Sequence, residues 1–171
     1  MTSLGFGYGN YVVPTGSKFF IWVTCHNKLI TNVHRMHKQL PNNPFCSRCS
    51  LNIEDSLHDF RNCAFARQVW DVFDAGTLVS NFYCLDFFHW LHFNMTASHV
   101  VVNNKAWSLV LLCTIWAMWK ARNDMAFRGV KASHYQILHN ANYANTQLAF
   151  PLPAPSVVKV LARTLGASSQ E

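Results

Sequence analysis

Cys46-Ser47-Arg48-Cys49, followed after eight residues by His58-Asp59-Phe60-Arg61-Asn62-Cys63, is the stretch on which the reading of this chain turns. Two cysteines separated by two residues reach one ion from a tight turn. A His and a Cys with four residues between them, at the start of the next helix, supply a second pair. Cys46, Cys49, His58 and Cys63 thus make a Cys3His set, which zinc binds as a closed tetrahedron with no position left for a substrate water. The competing reading is two buried thiols beside a surface histidine. A lone C-x2-C would not decide between them, but an H-x4-C half so close behind it favours the metal. Metal binding to a small knuckle supplies folding free energy, so the thiolates need no catalytic role.

Helical patterns surround this stretch. Lys18 to Lys28 reads as a helix carrying Phe19, Phe20, Trp22 and Val23. Thr31 or Asn32 caps a second helix through Leu40, with Val33, Met36 and Leu40 on one face. Pro41-Asn42-Asn43-Pro44 ends it. After the knuckle, Ser56 to Phe73 reads as a third helix with Leu57, Phe60, Ala64, Val69 and Trp70 inward, broken by Gly76. Residues 80–104 are apolar without a clean period, and Asn103-Asn104 reads as a turn. Lys105 to Phe127 is the longest helix; its uncharged run Ala106–Trp119 is too short for a bilayer, which needs about 20 residues. Ser133 to Phe150 is a last helix, with Ile137, Leu138, Ala141, Ala144 and Leu148 inward. Pro151-Leu152-Pro153-Ala154-Pro155 then stops regular structure. No segment alternates. The expected fold is mainly α: a small helical domain with a Cys3His zinc knuckle. It divides into a lead-in (1–16), a zinc-binding helical module (17–75), a helical extension (76–150) and a Pro-containing tail (151–171).

Half of the 171 residues are hydrophobic, which is ample for a core. Residues 1–14 lack the positive start and apolar run of a secretory signal, so an intracellular protein without a membrane span is expected. In that setting six cysteines read as thiols or metal ligands rather than disulfides. Net charge is +6. Residues 18–67 carry seven Lys/Arg against Glu54, Asp55 and Asp59, a net +4, whereas 71–104 carry no Lys or Arg and three Asp. Such a balance favours a polyanion partner, and a solvated basic surface is the alternative. Other constellations point inward or to solvent. Cys25-His26 are helix neighbours facing different ways. Cys84 and Cys113 read as core thiols. His34/His37 and His89/His92 read as polar-face pairs. Trp107, Trp116, Trp119 and Phe127 fit core packing better than a base-stacking platform. Two-metal phosphoryl chemistry needs converging carboxylates. The one adjacent acidic pair is Glu54-Asp55, so neither polymerase nor nuclease chemistry is expected, nor a small-molecule substrate.

An ordered series of motifs adds to this. Lys18-Phe19-Phe20-Ile21-Trp22 is similar to a K-x-F-x-W opening helix, and His26 to Asn32 to an "xxLPTN" turn. Cys46-x2-Cys49, Glu54-Asp55-Ser56, His58, Cys63-Ala64-Phe65-Ala66 and Val69-Trp70 follow a "C-x-x-C … E-[ST]-x-x-H-x4-C-x-x-A-x-x-V-W" signature. Ile115 to Asn123, with Phe127, is similar to "iWxxWkaRNxxxF". Lys18 to Phe127 therefore resembles the zinc-binding domain that follows the polymerase in plant non-LTR (LINE-type) retrotransposon reverse transcriptases. Two positions depart from the pattern: Ile30 replaces the Pro of the turn, and Glu54-Asp55-Ser56 replaces the usual Glu-Thr. In such polyproteins a ribonuclease H domain often follows near a Pro-rich stretch, where Pro151–Pro155 stands here. The tail to Glu171 has no matching catalytic carboxylates, and the chain reads as a detached accessory piece. The resemblance implies a zinc cofactor and a non-catalytic grip on RNA or DNA, with Lys18, Lys28, Arg35, Lys38, Arg48, Arg61 and Arg67 as candidate contacts. The alternative is a structural or protein-interaction spacer, whose mark is an exposed apolar patch.

Overall fold

A computed structural model describes residues 15–40, 43–97 and 99–147. In chain order the elements are α1 (Thr15–Cys25), α2 (Asn32–His37), a π-helix (His58–Asn62), α3 (Ala64–Asp71), α4 (Ala75–Leu78), α5 (Phe87–Thr96), β1 (Val101–Val102), β2 (Lys105–Ala106), α6 (Trp107–Arg128) and α7 (His134–Gln147). The fold is mainly helical, as the sequence leads one to expect. The expected lead-in before Thr15 and the tail 151–171 lie outside the described residues, as do Leu148 and Phe150.

Helix α6 is the axis of the molecule. Its first twelve residues are almost all buried, so it is apolar on nearly every side rather than along one stripe, and other elements cover it all round. Helices α5 and α7, the π-helix and α1 pack against it. The helix stops where Gly129 adopts φ +67, a conformation that costs glycine little. The Gly129 and Val130 N–H groups then close back on the Met125 and Asp124 carbonyls, satisfying the last turn. On α7, Ile137 and Ala141 are buried and Leu138 and Ala144 half-buried against the core, as the pattern predicts.

Trp70, Phe82, Trp90 and Trp107 form the centre of the core, with ring centroids 5.3 Å (Trp70–Phe82), 5.6 Å (Phe82–Trp90) and 6.0 Å (Trp70–Trp107) apart. Edge-to-face packing of this kind adds to the burial of the rings. Two of the three indole N–H groups are met: Trp107 Nε1 donates to Asn94 Oδ1 and Trp70 Nε1 to the Phe60 carbonyl, whereas Trp90 Nε1 is buried without a hydrogen-bond partner. Trp70→Ala should cost about 3–5 kcal/mol, the range for emptying a buried aromatic site. Trp116 and Trp119 are only half-buried, Trp116 against Phe20 at 4.8 Å. Their Ala variants should lose less than Trp70→Ala, with metal content unchanged. Urea melts of the three variants test this order, and a Trp116→Ala melt matching the parent would place that ring outside the core.

Several expectations are corrected. The third helix is not continuous. It opens as one turn at Ser56, widens to the π-helix, breaks at Cys63 (ψ 136°) and restarts as α3. The break rephases the residues after it, so Ala66 is buried and Ala64 is exposed. The helix ends at Asp71, two residues short of the expected Phe73, and the expected breaker Gly76 lies inside α4; the turn residue is Asp74, at φ +51. Helix α1 starts earlier than expected and ends at Cys25, because Asn27 takes φ +48. Helix α2 is capped by Thr31, whose side chain accepts from the His34 N–H, but it closes at His37. Its expected inner residues Met36 and Leu40 are exposed, since α2 is too short to bring them back to the core. Phe127 is exposed too, near the end of α6 and beyond its buried run. Residues 86–96, which showed no clean period, form α5 with Asp86 as its cap. The Asn103-Asn104 turn is as expected: both residues have positive φ (49° and 61°), and they join the antiparallel pair Val101↔Ala106, Val102↔Lys105.

Candidate metal centre

The knuckle is a loop closed at its base by an antiparallel bridge between Phe45 and Ile53. Inside it, the Cys46 N–H donates to the Asn52 carbonyl and the Ser50 N–H to the Cys46 carbonyl, both at 2.8 Å. The Arg48 N–H points at Cys46 Sγ (3.4 Å), a donor that favours the thiolate. These bonds set Cys46 and Cys49 on one side of the turn.

The other two donors depend on the helix irregularity. In an α-helix, residues five apart are rotated about 140° from one another, so His58 and Cys63 would diverge. Here the Cys63 N–H reaches the His58 carbonyl at 2.8 Å, a π-type bond that returns the fifth residue to the same face. Asp55 starts this turn: its Oδ1 accepts from the His58 N–H at 2.6 Å. Asp55 stands three residues before His58, so the capping position of the signature is filled here by Asp55 and not by Ser56. Ser56 instead donates to Asn27 Oδ1 at 2.7 Å, tying this turn to the end of α1.

The four donor atoms of Cys46, Cys49, His58 and Cys63 lie within 4.8 Å of one another. Cys49 Sγ is 3.4 Å from His58 Nε2. A tetrahedral zinc with Zn–S near 2.3 Å sets its sulfurs about 3.8 Å apart, so the arrangement fits one ion once the widest pair closes by about 1 Å at most. Cys46, His58 and Cys63 are buried and Cys49 is half-buried. Protonation behaviour agrees. The hydrogen bond from the Cys63 thiol, against the effect of burial, holds the Cys46 thiol down at about 3, and Cys63 is correspondingly raised. Burial disfavours the imidazolium of His58, but the neighbouring Cys46 and Cys49 sulfurs outweigh it and raise its pKa. The site thus draws positive charge, which protons or a metal can supply. Among the described residues this is the Cys/His/Asp/Glu cluster able to hold a metal ion.

The basic candidates separate into two groups. Lys28, Lys38 and Arg67 are exposed. Arg35 is half-buried, with its guanidinium 5.8 Å from the Phe127 ring. Lys18 stands on α1, and its side chain lies outside the described residues. Arg48 and Arg61 are internal, contrary to expectation. Arg61 is 4% exposed and donates to Asn62 Oδ1 and to the Phe82 and Leu85 carbonyls. The Arg48 side chain is 7% exposed and pairs with Asp59 beneath the knuckle. Burial pushes the Asp59 carboxyl up to about 6, against the pull of Arg48. Both arginines have partners in the fold: Arg48 meets the carboxylate and carbonyl of Asp59, and Arg61 the Phe82 and Leu85 carbonyls.

A buried ion pair near the site is not marked by residue spacing. Glu54 and Arg122, both with fully buried side chains, join the strand leaving the knuckle to α6. Arg122 Nε donates to Glu54 Oε1 at 2.8 Å and Nη2 to Asn32 Oδ1 at 2.9 Å. Asn32 in turn donates to the Phe45 carbonyl at 2.8 Å, at the base of the knuckle. The visible signal was a cation inside an apolar helix and an acid beside a metal motif. Of the remaining cysteines, Cys25 and Cys113 are buried and their thiols pushed up to about 12, and Cys84 is exposed rather than a core thiol.

Residues 8–70 match the family described as zinc-binding in reverse transcriptase, and the Cys3His set lies wholly inside that match. This segment is similar to the zinc-binding domain of reverse transcriptases. What this family describes is a zinc-binding accessory domain rather than a catalytic motif. The chain is also similar to a protein of Arabidopsis thaliana named as a putative ribonuclease H protein, at 26% identity over 110 residues. That alignment covers 64% of this chain and 18% of the plant protein, so the chain spans about a fifth of its relative. No solved structure matches. No helix among the described residues is long and apolar enough to cross a membrane.

Proposed function

We propose that the chain is a zinc-stabilised, non-catalytic nucleic-acid-binding module derived from a retrotransposon reverse transcriptase. The zinc-binding module (17–75) carries the metal, and it shares its core with the helical extension (76–150) through Trp70, Phe82, Trp90 and Trp107. The observation that carries this reading is the closed Cys3His cluster inside a reverse-transcriptase zinc-binding match. Three thiolates and one imidazole suit zinc and leave no open coordination position, so the metal's role is structural. The contacts to RNA or DNA would come from the exposed Lys28, Lys38 and Arg67 and the half-buried Arg35. The sequence carries no legible recognition-helix or RNA-binding aromatic motif, so on this reading the grip is on the phosphate backbone.

Binding should therefore be weak, indifferent to sequence and steeply salt-dependent, because each phosphate neutralised releases counterions. Replacing Lys28 and Lys38 together by Ala should weaken binding to all sequences alike. It should also flatten the log–log salt slope by roughly 1.4–1.8, given about 0.7–0.9 per phosphate contact. Fluorescence anisotropy with labelled RNA and DNA at two salt concentrations measures both. Absence of binding at low salt leaves the interaction-spacer reading, and one observation favours that reading. Phe19 and Trp22, 67% and 50% exposed, stack on the outer face of α1 with centroids 6.4 Å apart, an apolar patch facing solvent.

A further inference from the structure

Helix α1 meets the core with one face and leaves rings on another. Phe20 and Thr24 are buried, and Phe20 packs against Trp116 at 4.8 Å and Phe60 at 6.2 Å. Phe19, Trp22 and His26 follow a second stripe, spaced i, i+3 and i+7, so they stand one above another along the helix. The Phe19 and Trp22 rings are stacked at 21° with centroids 6.4 Å apart, and the Trp22 and His26 rings lie 4.3 Å apart. Phe19 and Trp22 are exposed, so this row of flat faces contributes little to the fold. Charge gathers at its end. Asn27 turns the chain, and the Lys28 N–H donates to the Val23 carbonyl, which sets Lys28 against the last turn of α1. Lys28, His37 and Lys38 are exposed. Burial, with the charges of Lys38, His37 and Lys28, holds the His34 imidazole below its usual range, so these cations surround one point. Residues 15–40 supply no acid to offset them, and the first acid of the chain, Glu54, is buried. Exposed cations gathered in this way suit a polyanion.

We propose that the Phe19–Trp22–His26 row is a stacking platform for unpaired bases, which makes the nucleic acid bound by this chain single-stranded. The platform rests on the nucleic-acid reading above and gives it a substrate class. Every base has a flat π-face, so stacking on Phe19 and Trp22 requires no particular sequence. Bases in a duplex are stacked on one another and offer no free face, whereas an unpaired strand can splay them onto aromatic side chains. The strand would lie along α1 with bases on the rings and phosphates at Lys28 and Lys38. Rings and cations side by side are how single strands are held without base reading. An apolar protein surface would gain from the rings alone and leave the lysines unused, so the two features together favour the strand.

The test titrates the zinc-loaded full chain into a labelled single-stranded oligothymidylate and into a labelled duplex of the same length, both at low salt. The single strand should bind more tightly. Trp22→Ala should weaken single-strand binding about fivefold or more, leave duplex binding unchanged and melt like the parent. Trp22→Phe, which keeps a flat ring, should retain most of the affinity. Tyr135→Ala removes another exposed ring, on α7, and should change nothing. In the parent, the single strand should quench tryptophan emission. That quenching should vanish in Trp22→Phe, because the other tryptophans are buried or half-buried. Binding of both probes alike, with Trp22→Ala weakening neither or both equally, overturns the platform and spares the nucleic-acid reading. Binding of neither probe overturns both, and the exposed rings then belong to a protein contact.

Discussion

Cys49→Ser should leave the purified chain without bound metal and with reduced helical content, whereas the parent should hold one zinc per chain. Cys49 is the ligand nearest to solvent, so its replacement changes the packing of the other three least. What is lost is the tie between the knuckle and the π-helix, which no other covalent or metal link replaces. Structural zinc in small knuckles contributes on the order of 10–16 kcal/mol near neutral pH. A whole domain is stable by about 5–15 kcal/mol, so losing even part of that figure matters. Cys84→Ser is the matched control: Cys84 is exposed and far in sequence from the set, and its variant should keep both metal and melting behaviour. The measurements are metal content by elemental analysis and thermal melts by circular dichroism. A parent purified without metal, or a Cys49→Ser variant that melts like the parent, would defeat the structural-zinc reading.

The metal set was legible because its logic is local. Two short spacings carry it, and chelation demands those spacings whatever the rest of the chain does. The long apolar run of α6 was legible for a related reason: no exposed helix could tolerate Leu109–Trp119. The π-turn was not legible. Its cause is the requirement that His58 and Cys63 face one ion, and helix periodicity carries no trace of that. From that point the inward positions shift, which is why Ala66 and not Ala64 is buried. The basic residues misled for a different reason. Charge counted along the chain treats Arg48 and Arg61 as surface, but their planar donors suit buried turns and carboxylates, which only the folded chain reveals. Lys28 and Lys38, point charges on flexible stems, remain outside as expected.

Arg122→Met should be about as damaging as a large core truncation, although it introduces no charge and little change in volume. The guanidinium is fully buried and holds Glu54, also fully buried, together with Asn32. Removing it leaves a carboxylate in the core with only the Asn32 N–H still donating to Oε1, since Oε2 has no partner at all. Breaking such a pair from one side costs about 3–5 kcal/mol. For a chain of this size that corresponds to a melting temperature lower by roughly 6–20 °C. The effect should reach the metal centre indirectly. The Glu54 N–H donates to the Pro44 carbonyl, and its carbonyl accepts from Val33, so Glu54 holds the strand leaving the knuckle against α2. Weaker zinc retention under chelator is therefore expected in Arg122→Met, even though no ligand is touched. The double variant Glu54→Gln/Arg122→Met separates the ion pair from mere packing. With the acid also neutralised, the uncompensated charge is gone, and the double variant should recover part of the loss, giving a coupling energy beyond about 1 kcal/mol. If instead the two single losses simply add, or Arg122→Met melts with the parent, then Glu54 and Arg122 do not act as a pair and α6 is held to the knuckle by apolar packing alone.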